Sequence, residues 1–134
     1  MVIYMCIFCK IVNGEIPSYK IYENDRVYAF LDIAKDVDGH TLVIPKKHVV
    51  SVLDADIDTL KDVMEGIKVV TDHYIKLGYD GVNVMNASGE AAEQSVFHLH
   101  FHIIPRKKAD GFSTWPKLPG AKEELNEVHE KLKM

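Results

Sequence analysis

The chain of 134 residues carries only two cysteines and one tryptophan. Two cysteines are too few for a disulfide scaffold. No apolar run approaches the roughly 20 residues that a bilayer-spanning helix requires. A strong excess of one charge is also missing: the net charge of −4 excludes broad electrostatic binding to nucleic acid, while a small anion held by local donors remains open. The first residues, Met1 to Cys6, have neither the basic stretch nor the cleavage site of a signal peptide, so a cytoplasmic protein is expected. No repeat, low-complexity segment or interdomain linker stands out, and the length suits one domain over residues 1–134. Hydrophobic residues at 47% and charged ones at 27% are enough to build an ordinary core.

What is there is patterned. Cys6 to Val12 reads as a short helix stopping at Asn13-Gly14. Tyr19–Tyr22 and Val27–Ile33 read as a hairpin around Glu23-Asn24-Asp25, and Thr41–Ile44 as a strand ended by Pro45. Ile57, Leu60, Val63, Met64, Ile67, Val70, Tyr74 and Leu77 recur at three- and four-residue steps. They predict one long helix with those residues in the core, Asp54 and Asp56 at its start and Gly78 at its end. Gly81–Met85 and Val96–Ile104 read as two further strands, and Leu125, Val128 and Leu132 as a short amphipathic helix. The expected fold is α+β, a mostly antiparallel five-stranded sheet with the long helix packed on it.

The chemistry concentrates in His98-Leu99-His100-Phe101-His102. In an extended strand the three imidazoles share one face while Leu99, Phe101 and Ile103 share the other. On a helix the same spacing would spread the rings over roughly 200°. Such a row can bind a metal, hold an anion, or supply a nucleophile with its helpers. Just upstream, Asn86 to Ser95 is a small-residue loop offering two side-chain amides, a hydroxyl and backbone N–H groups to anionic oxygens. Cys6 and Cys9 form a Cys-x-x-Cys, for which metal ligation, redox chemistry and plain burial all stay open.

Gln94-Ser95-Val96-Phe97-His98-Leu99-His100-Phe101-His102-Ile103-Ile104 resembles the signature of the histidine-triad (HIT) superfamily. The likeness extends to Ile16-Pro17, to Asp25–Ile33 and to His40-Thr41-Leu42-Val43-Ile44-Pro45-Lys46-Lys47-His48, so that it runs from about Cys6 to Arg106 and leaves 107–134 as a C-terminal extension. The branch most resembled is the small nucleotide-binding one, whose members are dimeric nucleoside phosphoramidate hydrolases. The resemblance implies that His100 attacks the α-phosphorus of a purine nucleotide, giving a covalent nucleotidyl-imidazole that water then hydrolyses. A histidine's ordinary pKa, about 6.5, keeps the neutral nucleophile abundant at pH 7. By the same resemblance, His102 assists phosphate and leaving group, His98 completes the triad, and His40 stands behind the nucleophile. Asn86, Gln94 and Ser95 would donate to phosphate oxygens. Asp32 would accept from the ribose hydroxyls, and Ile7, Phe8, Phe30 and Ile33 would wall the base.

A zinc-binding subset of the superfamily uses positions that match Cys6, Cys9, His48 and His98, a closed Cys₂His₂ set of the structural kind. Homodimerisation through the long helix and a sheet edge is likewise implied by the resemblance. Where the branch usually has glycine before Gln94, this chain has Glu93. His73 and His129 read as surface or packing residues, and Trp115 as a local packing anchor. Two other classes stay open: dinucleoside polyphosphate hydrolysis or nucleotidyl transfer, and a non-catalytic nucleotide-binding regulator.

Overall fold

A computed structural model describes residues 5–134. Its elements run α1 (Ile7–Val12), β1 (Lys20–Glu23), β2 (Val27–Leu31), β3 (Thr41–Pro45), α2 (Ile57–Lys76), β4 (Gly81–Met85), β5 (Phe101–Arg106) and α3 (Leu125–Leu132). The five strands form one antiparallel sheet in the order β1-β2-β3-β5-β4, so β1 and β4 are its edges. This is the expected α+β architecture. No helix among the described residues is long and apolar enough to cross a membrane.

Both faces of the central strands are covered, and that explains why β2 and β3 read as unbroken apolar runs. Val27, Ala29, Val43 and Ile103 face α2, joined by Val63, Ile67, Val70 and Tyr74. Tyr28, Phe30, Leu42 and Ile44 face the other way and pack with Cys6, Phe8, Cys9 and Ile11 of the α1 region. α2 lies so close to the sheet that a Cβ on Gly66 would meet Val27 Cγ2 at 2.8 Å. A hydrogen bond of 2.6 Å between the Thr41 and Tyr74 hydroxyls ties the same layers together.

Asp56 caps α2 by accepting from Thr59 N–H at 2.9 Å. Asp54 serves the preceding turn instead, accepting from the Val50 and Ser51 N–H groups. Of the periodic residues assigned to the core, Ile57, Met64 and Leu77 are exposed. Ile57 and Leu77 sit at the two ends of the helix, and Met64 lies next to buried Val63 but off the stripe that meets the sheet. β2 ends at Leu31 rather than Ile33, because Asp32 turns the chain by accepting from Ala34 N–H at 2.8 Å. Pro45 belongs to β3, opposite Val27.

The strand expected over Val96–Ile104 is shorter and later, with β5 beginning only at Phe101. Three bonds explain the difference. Leu99 N–H donates to Val49 O at 2.8 Å, the Asn86 amide donates to His100 O at 3.0 Å, and the His100 ring donates to His98 O at 2.7 Å. Side chains and a distant loop thus take the backbone groups that a ladder would have used. The alternation of faces survives, since Leu99 and Ile103 are fully buried in the α2 layer, with Phe101 half-buried beside them. Trp115 corrects a second expectation: it is 76% exposed and anchors nothing in the monomer, its backbone N–H bonding only to Ser113 Oγ. His73 and His129 are exposed, as expected.

Candidate active site

Cys6 stands at the start of α1, where its sulfur accepts from Cys9 N–H at 3.5 Å, so the helical turn itself brings the two thiols to one place. His98 and His48 meet them there. Cys6 Sγ is 3.4 Å and Cys9 Sγ 3.6 Å from His98 Nδ1, Cys9 Sγ is 3.3 Å from His48 Nδ1, and the two Nδ1 atoms are 3.2 Å apart. All four donor atoms lie within 4.8 Å of one another. A tetrahedron with zinc–ligand bonds of about 2.0–2.3 Å has edges of about 3.3–3.8 Å, and these separations match it.

The protonation pattern agrees. His98 Nε2 donates to Pro45 O at 2.8 Å, leaving the Nδ1 lone pair aimed at the cluster. Burial pushes His98 down to about 4, so the ring is neutral, and burial together with Cys6 pushes the Cys9 thiol up to about 11. Such values describe the cluster without a cation; a bound dication reverses the balance for a thiol. His48 Nε2 is buried with no hydrogen-bond partner among the described residues. The donor set and spacing fit a closed tetrahedral metal.

On the same side of the sheet opens a cavity of about 300 Å³. Its walls include Ile7, Phe8, Phe30, Asp32, Ile33 and Ser95, and His100 and His102 line it as well. Eight of the sequence-derived site residues therefore meet at one cavity. Phe8 lies edge-on to both Phe30 and His100, with ring centroids 5.5 and 5.3 Å apart. The apolar slot and the imidazoles are thus continuous. Ile16, Pro17 and Leu42 add to the walls.

His100 is almost fully buried, and its Nδ1 lies 2.7 Å from the His98 carbonyl. A carbonyl oxygen can only accept, so the proton sits on Nδ1 and the Nε2 lone pair is left free. His102 Nδ1 lies 2.8 Å from His40 Nε2, whose other nitrogen is 2.9 Å from Asp36 Oδ1. Burial, then the neighbouring His100 and His40, push His102 down to about 4.

Two residues expected to meet phosphate are otherwise engaged. Gln94 is buried, with Oε1 accepting from Gly89 N–H at 2.9 Å and Nε2 donating to Val50 O and Val96 O at 2.6 and 3.0 Å. Asn86 donates to His100 O and accepts from the Ser88 hydroxyl at 2.7 Å. Neither lines the cavity; they hold the loop and the backbone of His100. Glu93 adopts a left-handed conformation, φ 68°, with its side chain exposed. Glycine occupies such a φ without steric cost.

A HIT domain profile matches residues 13–109. The chain belongs to the HIT family. It is 40% identical over 136 residues to an adenosine 5'-monophosphoramidase of Candida albicans, with 96% of this chain and 89% of that one aligned. The crystal structure of a histidine triad nucleotide-binding protein from Candida albicans superposes with a TM-score of 0.77 at 38% identity, covering 96% of this chain and 94% of that one. A zinc-bound histidine triad family protein from Mycobacterium smegmatis gives a TM-score of 0.72 at 37% identity, covering 84% of this chain and 83% of the other.

Proposed function

We propose that the protein is a hydrolase of purine nucleoside phosphoramidates acting through a nucleotidyl-histidine. The observation that carries the reading is the bond from His100 Nδ1 to His98 O, which places a ring proton on Nδ1 and turns Nε2 to the wall of an apolar cavity. Its lone pair attacks the α-phosphorus as the bond to the leaving amine breaks, and the amine departs with a proton delivered through His102. Water then attacks the phosphorus, the phosphorus–imidazole bond breaks, and the water's proton passes to His102. Asp32 stands ready for the ribose hydroxyls, Ser95 for a phosphate oxygen, and Ile7, Phe8, Phe30 and Ile33 for the base. Asn86 and Gln94 support the phosphate end through the backbone they hold.

Cys6, Cys9, His48 and His98 would hold a zinc ion, supported by the donor spacing and by the zinc-bound relative. Its charge would keep the thiols as thiolates and tie α1 to the segment bearing His100. The assembly we propose is a homodimer, formed through the open edge of β4 and the exposed apolar residues of α2, Met64 among them.

Incubation with adenosine 5'-monophosphoramidate tests the hydrolase reading. Release of AMP, with an AMP adduct by intact mass on the wild type and neither on His100→Ala, is the expected result. Wild-type protein that releases no AMP, or a His100→Ala variant that turns over normally, would overturn it.

A further inference from the structure

The loop between β2 and β3 brings a second carboxylate under the site. Asp36 Oδ1 and Oδ2 lie 2.9 and 3.1 Å from His40 Nδ1, and His40 itself is buried. The loop is shaped for this contact. Lys35 takes a left-handed φ of 56°, a conformation that is strained for a non-glycine residue, immediately before Asp36. Gly39, at φ 84°, passes so close to the sheet that a Cβ would meet Pro105 Cγ at 2.7 Å. Asp36 Oδ1 also accepts from Val37 N–H at 2.8 Å, which fixes the carboxylate.

We infer that Asp36 is a positioning residue that sets the tautomers of His40 and, through it, of His102; the catalytic consequence rests on the hydrolase reading above. Asp36 is a carboxylate, and its bond with His40 holds it below the usual range, so it has no proton to give. The proton between them therefore belongs to His40 Nδ1. With its one ring proton held at Nδ1, His40 presents a lone pair at Nε2, and His102 Nδ1–H donates to it across 2.8 Å. The remaining nitrogen of His102, Nε2, is left as a lone pair on a ring that lines the cavity.

This chain stores one proton without separating charge from its partner. A proton arriving at His102 Nε2 releases the Nδ1 proton to His40 Nε2, and the positive charge comes to rest on His40 against Asp36. The reverse movement returns it. A proton taken up from solvent loads the relay before the first step, the amine leaving group carries it away in that step, and the water of the second step restores it. The charged and titratable groups facing His102 are His100, His40, Asp32 and Asp36, and Asp32 cannot replace Asp36, because its Oδ2 approaches His40 from the Nε2 side, at 3.7 Å.

The test compares Asp36→Asn, Asp36→Ala and Asp36→Glu with wild type on two substrates. One is adenosine 5'-monophosphoramidate bearing an alkylamine, which must leave protonated. The other is an AMP ester of p-nitrophenol, which leaves as a stable anion. Loss of a partner that orients a histidine costs about 10–100-fold, so kcat on the amine substrate should fall by that factor in Asn and Ala. The pre-steady-state burst of p-nitrophenol, which reports the first step alone, should change less than about threefold, KM should hold, and Glu should restore most of the rate. Two-bond nitrogen–proton NMR of the imidazoles reads the tautomer without substrate: His40 should carry Nδ1–H in wild type and lose that preference in Ala. Equal losses in amine turnover and in the p-nitrophenol burst, or a His40 that carries Nε2–H in wild type or is unchanged in Ala, would overturn the inference. A wild type inactive on both substrates would sink the hydrolase reading alone, and the NMR measurement would still decide for or against Asp36.

Discussion

The side chain of His98 and its backbone face different tasks: Nδ1 points at two thiols, while the carbonyl oxygen, 2.7 Å from His100 Nδ1, dictates where His100 keeps its proton. The Cys₂His₂ cluster and His100 are therefore one mechanical unit. Any change that moves His98 moves the acceptor that fixes His100.

Cys9→Ser should thus impair both stability and turnover. Elemental analysis of wild type is expected to give about one zinc per chain, and the variant markedly less. The melting temperature should drop, and kcat should fall about tenfold or more with KM less affected. A metal-free wild type of full stability would remove the zinc proposal.

Acid should destabilise the fold earlier than carboxylate titration alone would. His98 and His102 are both pushed down to about 4 by burial. A histidine with a depressed folded pKa stays neutral while the unfolded chain takes up a proton near 6.5. Its contribution is therefore complete above about 6.5 and is lost as the pH falls from there to about 4. In chelator-treated, metal-free protein the loss for the fully buried His98 is on the order of 3 kcal/mol; for partly buried His102 it is smaller. Urea unfolding of that protein at pH 7.5, 5.5 and 4.5 checks this, and a flat profile between the first two would contradict it.

Gly66→Ala should cost about 1–3 kcal/mol, because the added methyl meets Val27 Cγ2 at 2.8 Å in a layer closed on both sides. Pairing it with Val27→Ala should recover part of the loss. Thermal melts of the four proteins in that cycle give the coupling directly.

Glu93→Gly should stabilise, by about 0.5–1 kcal/mol, since it relieves a left-handed φ of 68° on an exposed residue while adding some unfolded-state freedom. Denaturant midpoints with unchanged slope would show it. A loss of stability would mean that the Glu93 side chain makes a contact of its own.

The proposed dimer predicts that sedimentation equilibrium at micromolar concentration gives twice the chain mass, and that Met64→Lys shifts the distribution toward monomer. A wild-type monomer would end that proposal.

Much of this is legible in the sequence alone. Period-two alternation around Leu99 and Ile103 gave the two faces of the histidine row, and Asp56 with its following periodicity gave α2 to within a residue. Hydrogen-bond commitments were not legible. Gln94 and Asn86 look like free donors in a polar loop, yet their partners come from Val50 and His100, distant in sequence. Asp36 could not be told from Asp38, because only the left-handed turn at Lys35 brings one of them under His40. The late start of β5 had the same origin, a backbone partner at Val49.

Gln94 also bears on how tightly a nucleotide can be held. With its amide bonded at once to Gly89, Val50 and Val96, the turn beside Ser95 is already immobilised before anything arrives. Ordering a loose loop around a ligand typically subtracts about 0.5–1.5 kcal/mol for each side chain frozen. Here that subtraction has been made during folding, so a small substrate keeps most of the attraction it generates.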